Sequence, residues 1–479
     1  MTDLLMALGE AIGATHVLVD RADVARYEMD GRQPGGRALA VLRPASSAEV
    51  SAILRLAAQH GVTVVPQGAR TGLVGAGVAD DRGDALILSL ERLTRAPEVD
   101  AVNRTVSADA GVLLSTINDA AGAYDLFFPI DLGADPSVGG MVGANTGGAR
   151  FLRYGDVRSN LLGLEVVLAD GKGTVLELGG ALWKNNVGLD LKQLFTGASG
   201  SLGVITRATL ALQPKPAAQV TALVALRRPD AALELLSLLE ARFGTLLTAF
   251  EGMSAPAFDA ALAHVLRLQH PFAGATPPYA VLVELSSGPV LSEDALEEAL
   301  GEALAEIMER ADSPVLDVAV DRRDALWAIR HAIPEGLRAS GQVVACDIAL
   351  RRGDVMRFRA EALAEIGARW PGLGVHDFGH IGDGGLHFNM VWPRANGSLD
   401  PAVADAVRDH VFAKAVEQFG GSFSAEHGIG PRNIRQYARF VPEAVRDLSG
   451  KIQNLVAPQR VGRVDFGSIN TQEGSQNVG

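Results

Sequence analysis

One cysteine, Cys346, is all that 479 residues contain, so the chain can form no internal disulfide and no thiolate zinc site. Such usage fits a reducing compartment. Positive charge is also scarce: 43 Lys and Arg stand against 56 Asp and Glu, a net charge of −13. Neutralising a phosphate backbone takes clustered cations, so nucleic acid is excluded as the main partner. Only a local basic pocket for a small anion is left open. No apolar run reaches the roughly eighteen residues that cross a bilayer, so no membrane span is expected. MTDLLMALGEAIG at the start lacks the basic region and long apolar core of a secretory leader. A soluble, cytoplasmic protein is expected. Two nucleotide signatures are missing as well. There is no GxxxxGK[ST] phosphate loop, and no GxGxxG opening a long helix with an acidic residue about twenty positions on. The remaining composition, 48% hydrophobic and 21% charged, is that of a folded chain, and its length suggests two or three domains.

Glycine is concentrated rather than spread. Residues 39–66 read as strand, helix, strand: LAVLRP, then VSAILRLAAQHG opened by a Ser46–Glu49 capping box, then VTVVP. QGARTGLVGAGV (67–78) follows at once. Short strands and helices continue through DALILSL, TVSADAG, VLLSTINDAAG and LFFPI to a second glycine-rich stretch, DLGADPSVGGMVGANTGGARFLRYGDVRSN (131–160). LGLEVVLADGKGTVLEL reads as a hairpin turning at Asp170-Gly171. A third loop, GASGSLGVITRATLAL (197–212), closes this half. Glycine lets backbone approach a ligand closely, so that successive N–H groups converge on an anion. Three such loops, each after an apolar strand, favour a dinucleotide pyrophosphate over a set of plain turns.

Near residue 213 the pattern changes. QPKPAAQ carries two prolines and reads as a boundary. Beyond it, strands TALVAL and YAVLVEL alternate with the amphipathic helices AALELLSLLEARF and SEDALEEALGEALAEIMER. This reads as an α+β domain, a sheet covered by helices on one face. At its end lie HDFGHIGDGGLHFN (376–389) and SFSAEHGIG (422–430). Val375–Phe378 reads as a strand entering a turn and LHFNMVW as the return strand. His380 and His387 would then reach one point across a reversal that Gly382, Gly384 and Gly385 allow. Imidazoles with a carboxylate are the ligand types of a catalytic divalent metal that keeps one position open. A further imidazole beside them is a proton acceptor near neutral pH. His376 reads as a satisfied polar residue, and Asp383 as either a partner behind a ligand or a turn cap. SINTQEGSQNVG at the C-terminus is small and polar, and is expected to be disordered.

Taken in order, PQGARTGLVGAGV, FPIDLGADPSVGGMVGANTGGARFLRYG, DLKQLFTGASGSLGVIT, GHIGDGGLHFN and SAEHGIG resemble the flavin-linked oxidoreductases of the vanillyl-alcohol oxidase (PCMH-type) fold. Within that fold the chain is similar to the D-2-hydroxyglutarate and D-lactate dehydrogenase branch, across residues 35–470. The resemblance implies an α+β fold with a two-subdomain PCMH-type FAD-binding domain over 1–213. An α+β cap (substrate) domain, an antiparallel sheet covered by helices, would occupy 214–420. A segment over 421–467 would return to the FAD domain, ahead of a 468–479 tail. Pro66, Gly68, Arg70, Thr71, Gly72 and Gly75 would form the pyrophosphate loop. Pro129, Asp131, Gly133, Ser137, Gly140, Asn145, Gly147, Gly148, Gly203 and Ile205 would line the flavin. FAD would be non-covalent, because the first loop holds no histidine and Cys346 falls in the cap.

By the same resemblance His380, His387 and Glu426 would ligate Zn2+ or another divalent metal. Arg330, in DALWAIRHAIPEGLRASG, would anchor a substrate carboxylate with its planar guanidinium. Asn389 would contact substrate, and His427 would bind it and take its proton. The implied reaction oxidises a small D-2-hydroxy acid to the 2-oxo acid with hydride transfer to flavin N5. An electron-transfer flavoprotein, a quinone or a cytochrome would then reoxidise the flavin, and a homodimer is left open. Two rivals are a metal-independent flavin alcohol oxidase and a non-catalytic flavin-binding subunit of a glycolate-oxidase-like complex. Some positions depart from the family pattern. Ala345, before Cys346 and Asp347, replaces a lysine of the dicarboxylate branch, and Asn433 replaces another. Ser199 replaces a glutamate, and GRVDFG (462–467) replaces Asn-Pro-Gly-Lys. Two lost cations shift the expected substrate from 2-hydroxyglutarate toward lactate or a bulkier hydroxy acid.

Overall fold

Two small sheets organise the N-terminal half in the computed structural model, which describes residues 2–467 except 32–33, 266 and 322–323. The expected disorder of 468–479 concerns residues outside that range. In the first sheet Ala40–Leu42, Leu86–Ser89 and Val64–Gln67 pair in parallel, with Val17–Leu18 antiparallel at the edge. The helix Ser47–His60 begins where its capping box lies: Ser46 Oγ accepts the Glu49 N–H at 3.2 Å, and Glu49 Oε2 accepts the Ala45 N–H at 2.8 Å. Gly61, at φ 65°, ends it in a left-handed cap. The second sheet is antiparallel, in the order Glu98–Asp100, Thr105–Asp109, Val204–Ala211, Leu161–Val167, Val175–Gly179. Its last pair is the expected hairpin, with Asp170 Oδ1 accepting the Lys172 N–H at 2.9 Å in the turn. One apolar core serves both sheets and takes in Ala457 and Val461 near the C-terminus. Val461 also pairs with Val64, so the last described segment packs on the N-terminal half.

The second half is built on a seven-stranded sheet. Its order is Val315–Asp321, Ala218–Leu226, Tyr279–Ser287, Leu247–Ser254, Phe378–Gly379, Gly385–His387, Asp347–Ala349. Helices cover both faces, which corrects the single-face expectation. Val220, Ala222, Val224 and Leu226 pack against the helices Ala232–Phe243 and Glu293–Met308. Leu223 and Ala225, alternating with them, pack against Ala255–His264 and Ala325–Ser340. An apolar strand without polar alternation buries both of its faces. The histidine reversal also differs from one plain hairpin. Gly374–Val375 pairs with Met390–Pro393 in a separate three-stranded sheet, while Phe378–Gly379 and Gly385–His387 join the large one. The chain changes sheets at 376–377, where the His376 N–H donates to Asn389 O and Asp377 O accepts the Ser254 N–H. Asp377 is fully buried against Arg359, 2.6 Å away, and this ion pair anchors the crossing.

Candidate functional site

The three glycine loops meet. A Cβ built on Gly68 would collide with Ser137 Oγ, one on Gly200 would stand 3.3 Å from Pro66, and one on Gly197 would stand 3.4 Å from Asn145. Positive φ at Arg70 (63°), Asn145 (52°) and Ser199 (52°) bends one residue in each loop. Gly148, at φ 142°, has room for no side chain, since a Cβ would meet Asp131 O at 2.5 Å. Gly72 and Gly133 instead open on space, with nothing within 4 Å of a built Cβ. Backbone that is crowded behind and open in front is the form of an anion cradle. Gly203 and Ile205 sit behind this surface: Gly203 packs on Val166, and Ile205 lies in the core.

The segment 424–433 is laid across those loops. Ser199 Oγ donates to Ile429 O at 2.7 Å, Arg432 Nη1 donates to Leu73 O at 3.0 Å, and a Cβ on Gly147 would stand 3.4 Å from Glu426 Oε2. Asn433 staples the turn, accepting the Gly430 N–H and donating to Gly428 O, both at 2.8 Å. The residue in the place of a family lysine therefore works on the backbone. Glu426 thus stands at the second glycine loop and also faces the cap. Its Oε1 lies 3.6 Å from His380 Nε2 and 3.5 Å from His387 Nε2. Ligands about 2.0–2.1 Å from one tetrahedral ion stand roughly 3.3 Å apart, so each imidazole stands near ligand-to-ligand spacing from the same Glu426 oxygen.

Two carboxylates support the imidazoles from behind. Glu251 Oε1 lies 2.6 Å from His380 Nδ1, while its Oε2 accepts from Arg330 Nε at 2.8 Å and lies 2.8 Å from Nη2 in the same ion pair. Asp347 faces His387 Nδ1 at 3.4 Å and His427 Nδ1 at 3.5 Å. Among the described residues, the potential metal-ligand atoms that all lie within 4.8 Å of one another are those of Asp347, His387, Glu426 and His427, a set without His380. Arg330 is thus buried in an ion pair, its guanidinium over Phe378 at 4.6 Å. Asn389 is buried two residues beyond His387. Asp383 caps the turn, accepting the Gly385 N–H at 2.8 Å, and burial raises its pKa to about 6.

The electrostatics favour a cation at this point. Burial opposes ionisation of Glu251, but His380 and Arg330 hold its pKa down to about 2. Burial likewise opposes Glu426, and His380 with His387 holds it to about 2. Burial disfavours the charged form of His380, yet Glu251 and Glu426 raise its pKa well above the ordinary value. Burial opposes ionisation of Asp347 as well; His427 and His387 keep it well below the usual carboxylate range. Two buried carboxylates around His380 thus attract one positive charge, which a proton or a metal ion can supply.

A second tie crosses from the second glycine loop to the seven-stranded sheet. Arg150, just past Gly148, donates to both oxygens of Glu284 at 2.9 and 3.1 Å and lies 3.3 Å from Asp131. Glu284 is buried and also accepts from Trp327 Nε1 at 2.8 Å. Sequence reasoning missed Glu251 and Glu284. Their signal was a lone carboxylate in each of two apolar strands, TAFEGM and AVLVEL, because a charge is seldom buried without a partner.

The comparisons with known proteins agree on the class. A model described as FAD binding domain matches residues 38–179, and one described as FAD linked oxidases, C-terminal domain matches residues 215–461. The chain belongs to the FAD-linked oxidase family. It is 37% identical over 440 residues to D-2-hydroxyglutarate dehydrogenase of Xanthomonas citri pv. viticola, covering 90% of this chain and 89% of that one. It is 34% identical over 465 residues to the mitochondrial D-2-hydroxyglutarate dehydrogenase of Rattus norvegicus, covering 95% and 83%. A D-2-hydroxyglutarate–pyruvate transhydrogenase of Saccharomyces cerevisiae is 31% identical over 82% of this chain and 79% of its own length. Among solved structures, p-cresol methylhydroxylase shares the fold with a TM-score of 0.74 at 15% identity, over 96% and 95% of the two chains. The 4-ethylphenol oxidase of Gulosibacter chungangensis does so at 0.70 and 20%, over 98% of each.

Proposed function

We propose that this chain is a dehydrogenase of D-2-hydroxy acids, with non-covalent FAD as hydride acceptor and a divalent metal, Zn2+ by its donor set, held by His380, His387 and Glu426. One observation carries the reading: Glu426 lies between two imidazole Nε2 atoms on one side and Gly147 of the second glycine loop on the other. When bound, the flavin supplies the hydride acceptor for C2, and the cation supplies the positive charge that acidifies the substrate hydroxyl. His427 takes the hydroxyl proton at Nε2, its Nδ1 being turned to Asp347 at 3.5 Å. His380 is taken as the third ligand because its Nε2 faces Glu426 Oε1, as that of His387 does, whereas Asp347 lies at the opposite, Nδ1 edge of His387. Asn389 is assigned to the substrate carboxylate.

The relatives named D-2-hydroxyglutarate dehydrogenase support a 2-hydroxy acid substrate. Ala345 and Asn433, where cations are usual in the dicarboxylate branch, favour a shorter or bulkier acid. The test is anaerobic bleaching of the bound flavin across a panel of D- and L-2-hydroxy acids. Bleaching by D-acids, abolished by a chelator and restored by Zn2+, is the expected result. Chelator-resistant bleaching would move the assignment to a metal-independent oxidase.

A further inference from the structure

We propose that Asp347 is a positioning residue that serves two imidazoles at once, fixing the tautomer of both His387 and His427. The inference rests on the functional reading above and adds what sets its metal ligand and its proton acceptor together. Asp347 opens the edge strand Asp347–Ala349 and lies directly across from His387 in the antiparallel register. Along its other side runs the segment carrying Glu426 and His427. Ser422 bridges to Ala349 there, and the Ala425 N–H donates to Asp347 O at 3.3 Å. The Asp347 side chain is 6% exposed. Its Oδ1 has no hydrogen-bond partner and faces His387 Nδ1 at 3.4 Å; its Oδ2 accepts the N–H groups of Glu426 and His427 and faces His427 Nδ1 at 3.5 Å. The two rings lie nearly parallel, 13° apart with centroids 5.8 Å apart, so one carboxylate spans their Nδ1 edges.

A carboxylate facing Nδ1 favours the tautomer with its proton there and leaves Nε2 unprotonated. For His387 that Nε2 stands 3.5 Å from Glu426 Oε1, where a cation would need it. For His427 an unprotonated Nε2 is what proton abstraction requires. Strand register, not sequence proximity, gives both rings the same partner.

The test is D347N in the full-length, flavin-loaded protein. Asn keeps the shape and one acceptor oxygen, but its amide donates where the second imidazole needs an acceptor. Flavin content should stay near wild type. Zn2+ affinity, read by competition with a chromophoric chelator, should fall about 10–100-fold. At saturating Zn2+, kcat should fall by about 100-fold or more while KM moves little. Either Zn2+ affinity or kcat within about threefold of wild type overturns the inference. If D347N does not retain flavin, D347E decides, since it restores the buried charge on a longer arm. Flavin retained with the same two losses supports the inference. Wild-type values overturn it, and so does loss of flavin in both variants, which would make Asp347 a folding residue. A wild-type protein that neither binds Zn2+ nor bleaches with any hydroxy acid sinks the functional reading instead.

Discussion

Removing Glu251 should damage stability and metal binding together, because one buried carboxylate holds two groups. Its side chain is 1% exposed, with Arg330 at 8% and His380 at 12%. In E251A the guanidinium is left in the interior without its anion, which costs about 3–5 kcal/mol. E251Q keeps the shape and one acceptor for two donors, so one donor goes unmet at about 1–3 kcal/mol. Urea unfolding should rank wild type above E251Q and E251Q above E251A. His380 also loses the group that orients its Nδ1, so Zn2+ affinity by chelator competition should fall about 10–100-fold in both variants. The hydrogen-bond partners of Glu251 are Arg330 and His380 rather than glycine-loop residues, so flavin content should change far less. Equal unfolding midpoints and equal Zn2+ affinity in E251A would refute the reasoning. Unfolding without loss of Zn2+ affinity would keep the ion pair and refute the orienting role.

Three further outcomes are expected. G148A forces a Cβ to within 2.5 Å of Asp131 O, in a conformation that costs an L-residue about 1–3 kcal/mol. The flavin-to-protein ratio after gel filtration should drop, and full retention would show that the second loop tolerates the shift. D377A removes the partner of Arg359 at the point where the chain changes sheets, and should lower stability by about 3–5 kcal/mol in denaturant melts. His376 is held below its ordinary pKa of 6.5 by burial, against the raising effect of Gly374 O and Asp377. The fold thus favours its neutral form, so this contribution is complete above pH 6.5 and is lost as pH falls below it. H376N, which can still donate to Gly374 O, should flatten that acid limb of the stability curve; an unchanged slope would reject the assignment.

How much could be read in advance divides by the range of the interactions. The Ser46–Glu49 cap and the hairpin at Asp170 were legible because both are settled within a few residues. The residues His380, His387, Glu426 and His427 stood out because their types limit the chemistry open to them. The cover on both faces of the cap sheet was not legible from helix and strand periods alone, although the unbroken apolar strands were consistent with it. Arg330 shows the opposite limit. Its residue type suggested a carboxylate partner, and the structure places a carboxylate there, that of Glu251.

The sequence alone determined the local order: where helices cap, where glycine permits a close approach, and which side chains carry imidazole or carboxylate groups. Tertiary structure decided who stands behind them. Glu251 lies 129 positions from His380, and Asp347 lies 80 from His427. No propensity or spacing encodes such pairs, because they arise only when strands register across a sheet. The low dielectric of that interior then makes each carboxylate matter to the imidazole beside it.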